Sequence, residues 1–135
     1  MLKGKKVAII GGGKMGSIIA RGLITQKIVP AKDIVVTDID ADRLKSLRSS
    51  LKLQVSKDNE KSVHDADIII LAVKPQNMAA TLQEISSAVN KSKVVISIAA
   101  GITTGFIEKS LMKGVRVVRV MPNTPALVGE GAAAV

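Results

Sequence analysis

Short runs of aliphatic residues alternate along this chain with stretches whose apolar positions recur every three or four residues. The runs occupy residues 7–10, 34–37, 68–73, 94–98 and 115–120 and are expected to be strands. Between them, residues 15–26, 41–50, 76–89 and 103–112 carry helical periodicity. A weaker strand is expected at 53–55, followed by a short helical turn at 59–64.

Strands that alternate with helices are joined by right-handed crossovers, which give a parallel sheet with helices on both faces. The expected fold is therefore α/β: a Rossmann-type, doubly wound parallel sheet in three layers, one domain over residues 1–135. Six strands fit the order 3-2-1-4-5-6. Ligands of such a sheet lie at the carboxyl ends of the strands, where the winding reverses.

Composition narrows what this sheet is for. Hydrophobic residues make up 47% of the 135, enough for a core. Phe106 is the single aromatic, so the core is aliphatic and nothing offers a stacking platform for bases. The formal net charge is +9, but residues 1–67 hold 13 basic against 8 acidic side chains and residues 68–135 hold 7 against 3. Charge spread so evenly, without interleaved aromatics, speaks for a solvated basic surface and against a nucleic-acid partner. The chain has no cysteine, hence no disulfide framework and no thiolate metal site, which suits a reducing compartment. The apolar run after Lys3, Lys5 and Lys6 is too short for a signal-peptide core or a membrane span, so a soluble, cytoplasmic protein is expected.

Candidate chemistry begins where the first run ends, in "GGGKMG". Gly11, Gly13 and Gly16 fit G-x-G-x-x-G between an expected strand and an expected helix. There the first glycine takes a tight turn, the second lets backbone approach a diphosphate, and the third lets helix close on strand. Unpaired N–H groups at the helix start, with the positive end of its dipole, face the phosphates. The alternative is a turn that binds nothing. Asp38 ends the next run, 22 residues after Gly16, where a carboxylate accepts from the ribose hydroxyls of an adenosine. That leans towards NADH, with NADPH the alternative. Asp40 and Asp42 strengthen the repulsion of an extra phosphate, while Arg43 would pair with one if it turned inward. The alternative for Asp38 is a helix cap.

Two further strand ends carry unusual residues. "AVKP" (Ala72, Val73, Lys74, Pro75) ends the fourth strand, and "SIAAG" (Ser97, Ile98, Ala99, Ala100, Gly101) ends the fifth with small side chains that would let a nicotinamide ribose lie close to backbone. Ordinary strand-end turns are the alternative. "MPNTP" sets Asn123 and Thr124 between prolines, a stiff loop with polar groups for a carboxamide.

Together "GGGKMG", "AVKP", "VISIAAG" and "VRVMPNTPALVGEGAAAV" resemble the amino-terminal domain of pyrroline-5-carboxylate reductase, the last enzyme of proline biosynthesis, over the whole chain. The resemblance implies an oxidoreductase that uses NAD(P)H to reduce the cyclic imine 1-pyrroline-5-carboxylate to L-proline. It assigns cofactor contacts to Ile10, Gly11, Gly12, Gly13, Lys14, Met15, Asp38, Asn59, Ala72, Val73, Lys74, Pro75, Ile98, Ala99 and Ala100. It also implies a helical carboxyl-terminal half, absent from this sequence, that makes the homo-oligomer and contacts the small-molecule imino-acid substrate. This chain alone is accordingly expected to bind dinucleotide and to reduce the imine poorly or not at all.

A protonated imine is already electrophilic and needs chiefly a well-placed hydride, so few ionisable groups are required. No catalytic residue and no metal ligand is assigned. His64 is expected on the surface; Lys74 either attracts an anion or is simply solvated. The rival readings are a related hydroxy-acid or imine dehydrogenase domain, and a dinucleotide-binding or sensing module without chemistry.

Overall fold

A computed structural model describes Leu2, residues 4–122 and the pair Ala133–Ala134. Six strands form one sheet: β1 (Val7–Ile10), β2 (Ile34–Thr37), β3 (Gln54–Ser56), β4 (Ile68–Leu71), β5 (Val94–Ser97) and β6 (Arg116–Arg119). Their order is β3-β2-β1-β4-β5-β6 and every pairing is parallel, as the alternation predicts. β7 (Met121–Pro122) and β8 (Ala133–Ala134) make a small antiparallel pair, so the start of "MPNTP" is strand; Asn123 and Thr124 lie outside the described residues.

Among the described residues five helices cover the sheet: α1 (Lys14–Thr25), α2 (Ala41–Leu51), α3 (Asn59–Asp65), α4 (Met78–Ile85) and α5 (Thr104–Ser110). Successive residues of a strand point to opposite faces, and both faces here are apolar. Val7 and Ile9 of β1 join Ile34, Val36 and Ile70 beneath Ala20 of α1 and Leu47 of α2. Ala8 and Ile10 join Ile69, Leu71 and Val95 beneath Val63, Met78, Leu82, Ile85 and Ile107 of the other three helices. The result is three layers. Each fully buried aliphatic side chain contributes about 1.5–3 kcal/mol, so the core alone specifies which face each helix presents.

Helix ends follow local chemistry. Asp40 caps α2, accepting from the N–H groups of Asp42 and Arg43; Asp58 caps α3 from Lys61, and Thr103 caps α5 from Phe106. The single helix expected at 76–89 is broken into three pieces. Pro75 opens a 3₁₀ turn (Pro75–Asn77), α4 follows with Met78, Thr81, Leu82 and Ile85 buried at helical spacing, and a second 3₁₀ turn (Ser86–Ala88) tightens the end. Val89 is already extended, at φ −100° and ψ 124°, which stops the helix before it.

Lys93 was not anticipated as a structural residue. Buried just ahead of β5, its Nζ donates to the carbonyls of His64 and Ala66, closing the carboxyl end of α3. Burial lowers its pKa, opposed by the charges of Asp67 and Asp65. Among the described residues no helix is long and apolar enough to cross a membrane.

Candidate functional site

The chain leaves β1 through Gly11, whose φ of +107° is accessible to glycine and strained for any other residue. A Cβ there would stand 2.8 Å from the Ala72 carbonyl oxygen, so the turn is pressed against the end of β4. Gly16, buried within the first turn of α1, backs onto the same corner: its Cβ would stand 1.9 Å from Gly11 O. Protein contacts alone explain these two glycines. They do not explain Gly13. Its φ of −71° suits any residue, and within 4 Å an added Cβ would meet only the Arg43 guanidinium, at 3.9 Å.

α1 begins at Lys14 with no side-chain cap. The first bond of its ladder runs from Ser17 N–H to Gly13 O, 2.9 Å, leaving the amides of Lys14, Met15 and Gly16 without intrahelical partners. No acidic residue lies in that first turn, and Lys14 adds a cation where the dipole favours an anion. An amino terminus left uncompensated in this way, with only the Arg43 guanidinium near Gly13, fits a diphosphate. Ser17 Oγ, 2.9 Å from Gly12 O and 2.7 Å from Gly13 O, clamps the loop from below. Sequence reasoning missed this residue, although a hydroxyl four positions after a turn glycine is a known source of back-bonding to the i−4 carbonyl.

Asp38 follows β2 and faces the same turn. Its Oδ2 accepts from Gly12 N–H at 2.9 Å and from Arg43 Nη1 at 3.2 Å, and its Oδ1 accepts from Asp40 N–H at 2.9 Å. The cap of α2 is Asp40, which leaves Asp38 free of that role. The Asp38 side chain is 8% exposed. Burial raises its pKa, but the backbone bonds from Asp40 and Gly12 and the Arg43 guanidinium outweigh it and hold the group below the usual 3.8. A carboxylate depressed in the folded state stabilises the fold above the unfolded value and loses that contribution as pH falls through the folded one. The stability advantage of the wild type over Asp38→Asn is therefore expected to shrink on acidification from neutral pH to below about 4. Urea midpoints of both proteins across that range would check this, and a pH-independent difference would contradict it.

The remaining sequence-predicted residues lie along the same edge of the sheet. Ala72 walls the turn at Gly11, and its N–H donates to Ile10 O at 2.8 Å. Val73 is half-buried, while Lys74 and Pro75 are exposed at the 3₁₀ turn. Ile98 N–H donates to Leu71 O at 3.2 Å, Ala99 is buried and Ala100 exposed, all just past β5. Asn59 opens α3, half-buried, beyond β3, whose Ser56 carbonyl accepts from Asp38 N–H at 3.4 Å. Ile10 and Ala99 turn their side chains into the core and Val73 packs against it, so Ile10 and Ala99 face the site chiefly through backbone. His64 stands apart on α3, its side chain 76% exposed and 3.1 Å from Asp65.

The sequence profile of the NADP oxidoreductase coenzyme F420-dependent family matches residues 6–101. The chain belongs to this family. A pyrroline-5-carboxylate reductase from Methanosarcina acetivorans is 42% identical over 134 residues, 99% of this chain and 50% of the relative. The structure of a pyrroline-5-carboxylate reductase from Coxiella burnetii superposes with a TM-score of 0.90 at 37% identity, covering 96% of this chain and 48% of that one. A Plasmodium falciparum pyrroline carboxylate reductase, solved with NADP bound, superposes at 0.85 with 31% identity, covering 98% and 48%. This chain thus spans about half the length of the curated relatives it matches.

Proposed function

We propose that this chain is the nicotinamide-dinucleotide-binding half of an oxidoreductase that reduces 1-pyrroline-5-carboxylate to L-proline. The observation that carries the reading is the first strand-to-helix corner: unpartnered amides of Lys14, Met15 and Gly16 beside a Gly13 that only the movable Arg43 guanidinium approaches, in a chain 42% identical to a pyrroline-5-carboxylate reductase. The likeness to the NADP-bound Plasmodium structure supports the cofactor class.

In this reading the helix amides and Lys14 hold the diphosphate, Asp38 faces the adenosine ribose, and the backbone past β4 and β5 lies against the nicotinamide end. The bound cofactor supplies the hydride. Half-buried Val73 and Ile98 would flank that end, and Ala99 and Ala100 are small enough to let the reacting face sit close to backbone. No acid or base of this chain is assigned to the imine, whose protonated form is electrophilic without help. On Asp38 alone the site favours NADH, because ribose hydroxyls donate to a carboxylate and a 2′-phosphate does not.

Titration with NADH and NADPH, followed by imine reduction with and without a helical carboxyl-terminal partner, tests the proposal. Dinucleotide binding is expected from the chain alone, and imine turnover only with the partner. Failure to retain either nucleotide at about millimolar concentration, a binding free energy weaker than about −4 kcal/mol, overturns it. Binding without turnover, even with the partner, leaves the module without chemistry as the better reading.

A further inference from the structure

Ser17 serves two carbonyls of the glycine turn with one hydroxyl proton. Its Oγ lies 2.9 Å from Gly12 O and 2.7 Å from Gly13 O. The two acceptors do not depend on it equally. Gly13 O also receives the Ser17 N–H, at 2.9 Å. Gly12 O belongs to a buried residue and accepts from no other donor among the described residues. A buried carbonyl without a donor is costly, so removing the hydroxyl strands Gly12 O and not Gly13 O. The neighbouring peptides are pinned independently: Gly11 N–H donates to Thr37 O and Gly12 N–H to Asp38 Oδ2, each at 2.9 Å. The peptide that joins Gly12 to Gly13 has only Ser17 to hold it, because Gly13 N–H makes no bond among the described residues.

We infer that Ser17 is a positioning residue that keeps the Gly12–Gly13 peptide turned for an anion; the inference rests on the dinucleotide reading above and deepens it. In a trans peptide the C=O and N–H point in opposite directions. A hydroxyl in the first turns of α1 that draws Gly12 O towards the helix therefore turns Gly13 N–H the other way, to the side that the free amides of Lys14 and Met15 face. With glycine on both sides this peptide can rotate as a unit. The rotation carries Gly13 from its φ of −71° to positive φ, which glycine accepts and other residues resist. In the rotated form the Gly12 carbonyl is aimed at the phosphates, and one N–H is taken from them. Ser17 thus needs no contact with the ligand. It sets how much of the protein holds the competent turn, and the measured affinity scales with that fraction.

The test is calorimetric titration of wild type, Ser17→Ala and Ser17→Thr with NADH, NADPH and ADP, alongside thermal midpoints and nitrogen-15 relaxation dispersion at the Gly13 amide. Ser17→Ala is expected to weaken all three ligands alike, by about three- to tenfold, the effect of a competent population of roughly a third to a tenth. Its thermal midpoint is expected to stay near the wild-type value, since the better helix propensity of alanine offsets the lost bond and the rotated carbonyl reaches water. Exchange on the microsecond-to-millisecond scale is expected at Gly13 in Ser17→Ala and not in wild type. Ser17→Thr keeps a hydroxyl that can bond back to these carbonyls, and is expected to restore affinity to within about twofold and to silence the exchange. Wild-type affinity in Ser17→Ala, a loss confined to one nucleotide, or a loss that folded Ser17→Thr does not rescue overturns the inference while leaving the dinucleotide reading intact. Wild type that binds neither nucleotide overturns both. Should Ser17→Ala prove unfolded, Ser17→Cys, whose thiol is a weak donor, carries the same comparison.

Discussion

Replacing Gly16 by alanine is expected to destabilise this protein by about 3 kcal/mol or more, and replacing Gly22, six residues along the same helix, to stabilise it by about 0.5–1 kcal/mol. Both glycines lie within α1, where alanine has the better intrinsic helix propensity by nearly the latter amount. At Gly22 nothing lies within 4 Å of an added Cβ, so propensity alone decides. At Gly16 the same methyl would stand 1.9 Å from the Gly11 carbonyl oxygen and 3.0 Å from its carbon. That obstacle is backbone, and Gly11 is itself pinned against Ala72 O and bonded through its N–H to Thr37 O at 2.9 Å. It cannot give way without opening the corner between β1, β2 and β4. Urea unfolding of the two single variants measures both effects against one wild-type curve. A Gly16→Ala midpoint at or above the wild-type value would mean that α1 slides freely on the sheet, and the account of the corner would fail with it.

That corner also shows how much of the fold the sequence makes legible. The strand order and the two-sided core follow from aliphatic runs alternating with helical periodicity, because residues such as Val7 to Ile10 have no polar face to turn to water. The glycine spacing and Asp38 were legible for the same kind of reason: Gly11 and Gly16 are odd at a strand end unless backbone approaches closely, and a carboxylate there is odd unless N–H groups turn to it. What was not legible depends on partners distant in sequence. Lys93 reads as one more surface lysine until the fold brings the carbonyls of His64 and Ala66 to its ammonium group. The break of 76–89 into three pieces needed the extended backbone at Val89, and Pro75 marked only its start. Arg43 could be named as a phosphate partner, but its bond to Asp38 Oδ2 required the geometry of α2.

Gly13→Val is expected to leave the fold nearly intact and to abolish dinucleotide binding, the reverse of the outcome at Gly16. The native φ and ψ, −71° and −161°, lie at the margin of extended backbone that a residue with a Cβ can adopt, and the first Cβ contact is a movable guanidinium at 3.9 Å. The change at the helix N-cap position costs about 1 kcal/mol. A bound diphosphate meets a different situation, since the isopropyl group would occupy the space through which phosphate oxygens reach the amides of Lys14 and Met15. Losing two charge-assisted hydrogen bonds at about 1.5–3 kcal/mol each corresponds to a fall in affinity of roughly a hundredfold or more. The loss is expected to be the same for NADH and NADPH, because the diphosphate is common to both. Circular dichroism melts and fluorescence titrations on one preparation give both halves of the comparison. A folded Gly13→Val protein that binds either nucleotide with wild-type affinity would place the diphosphate elsewhere, and the bare Gly13 would then be no more than a feature of the turn.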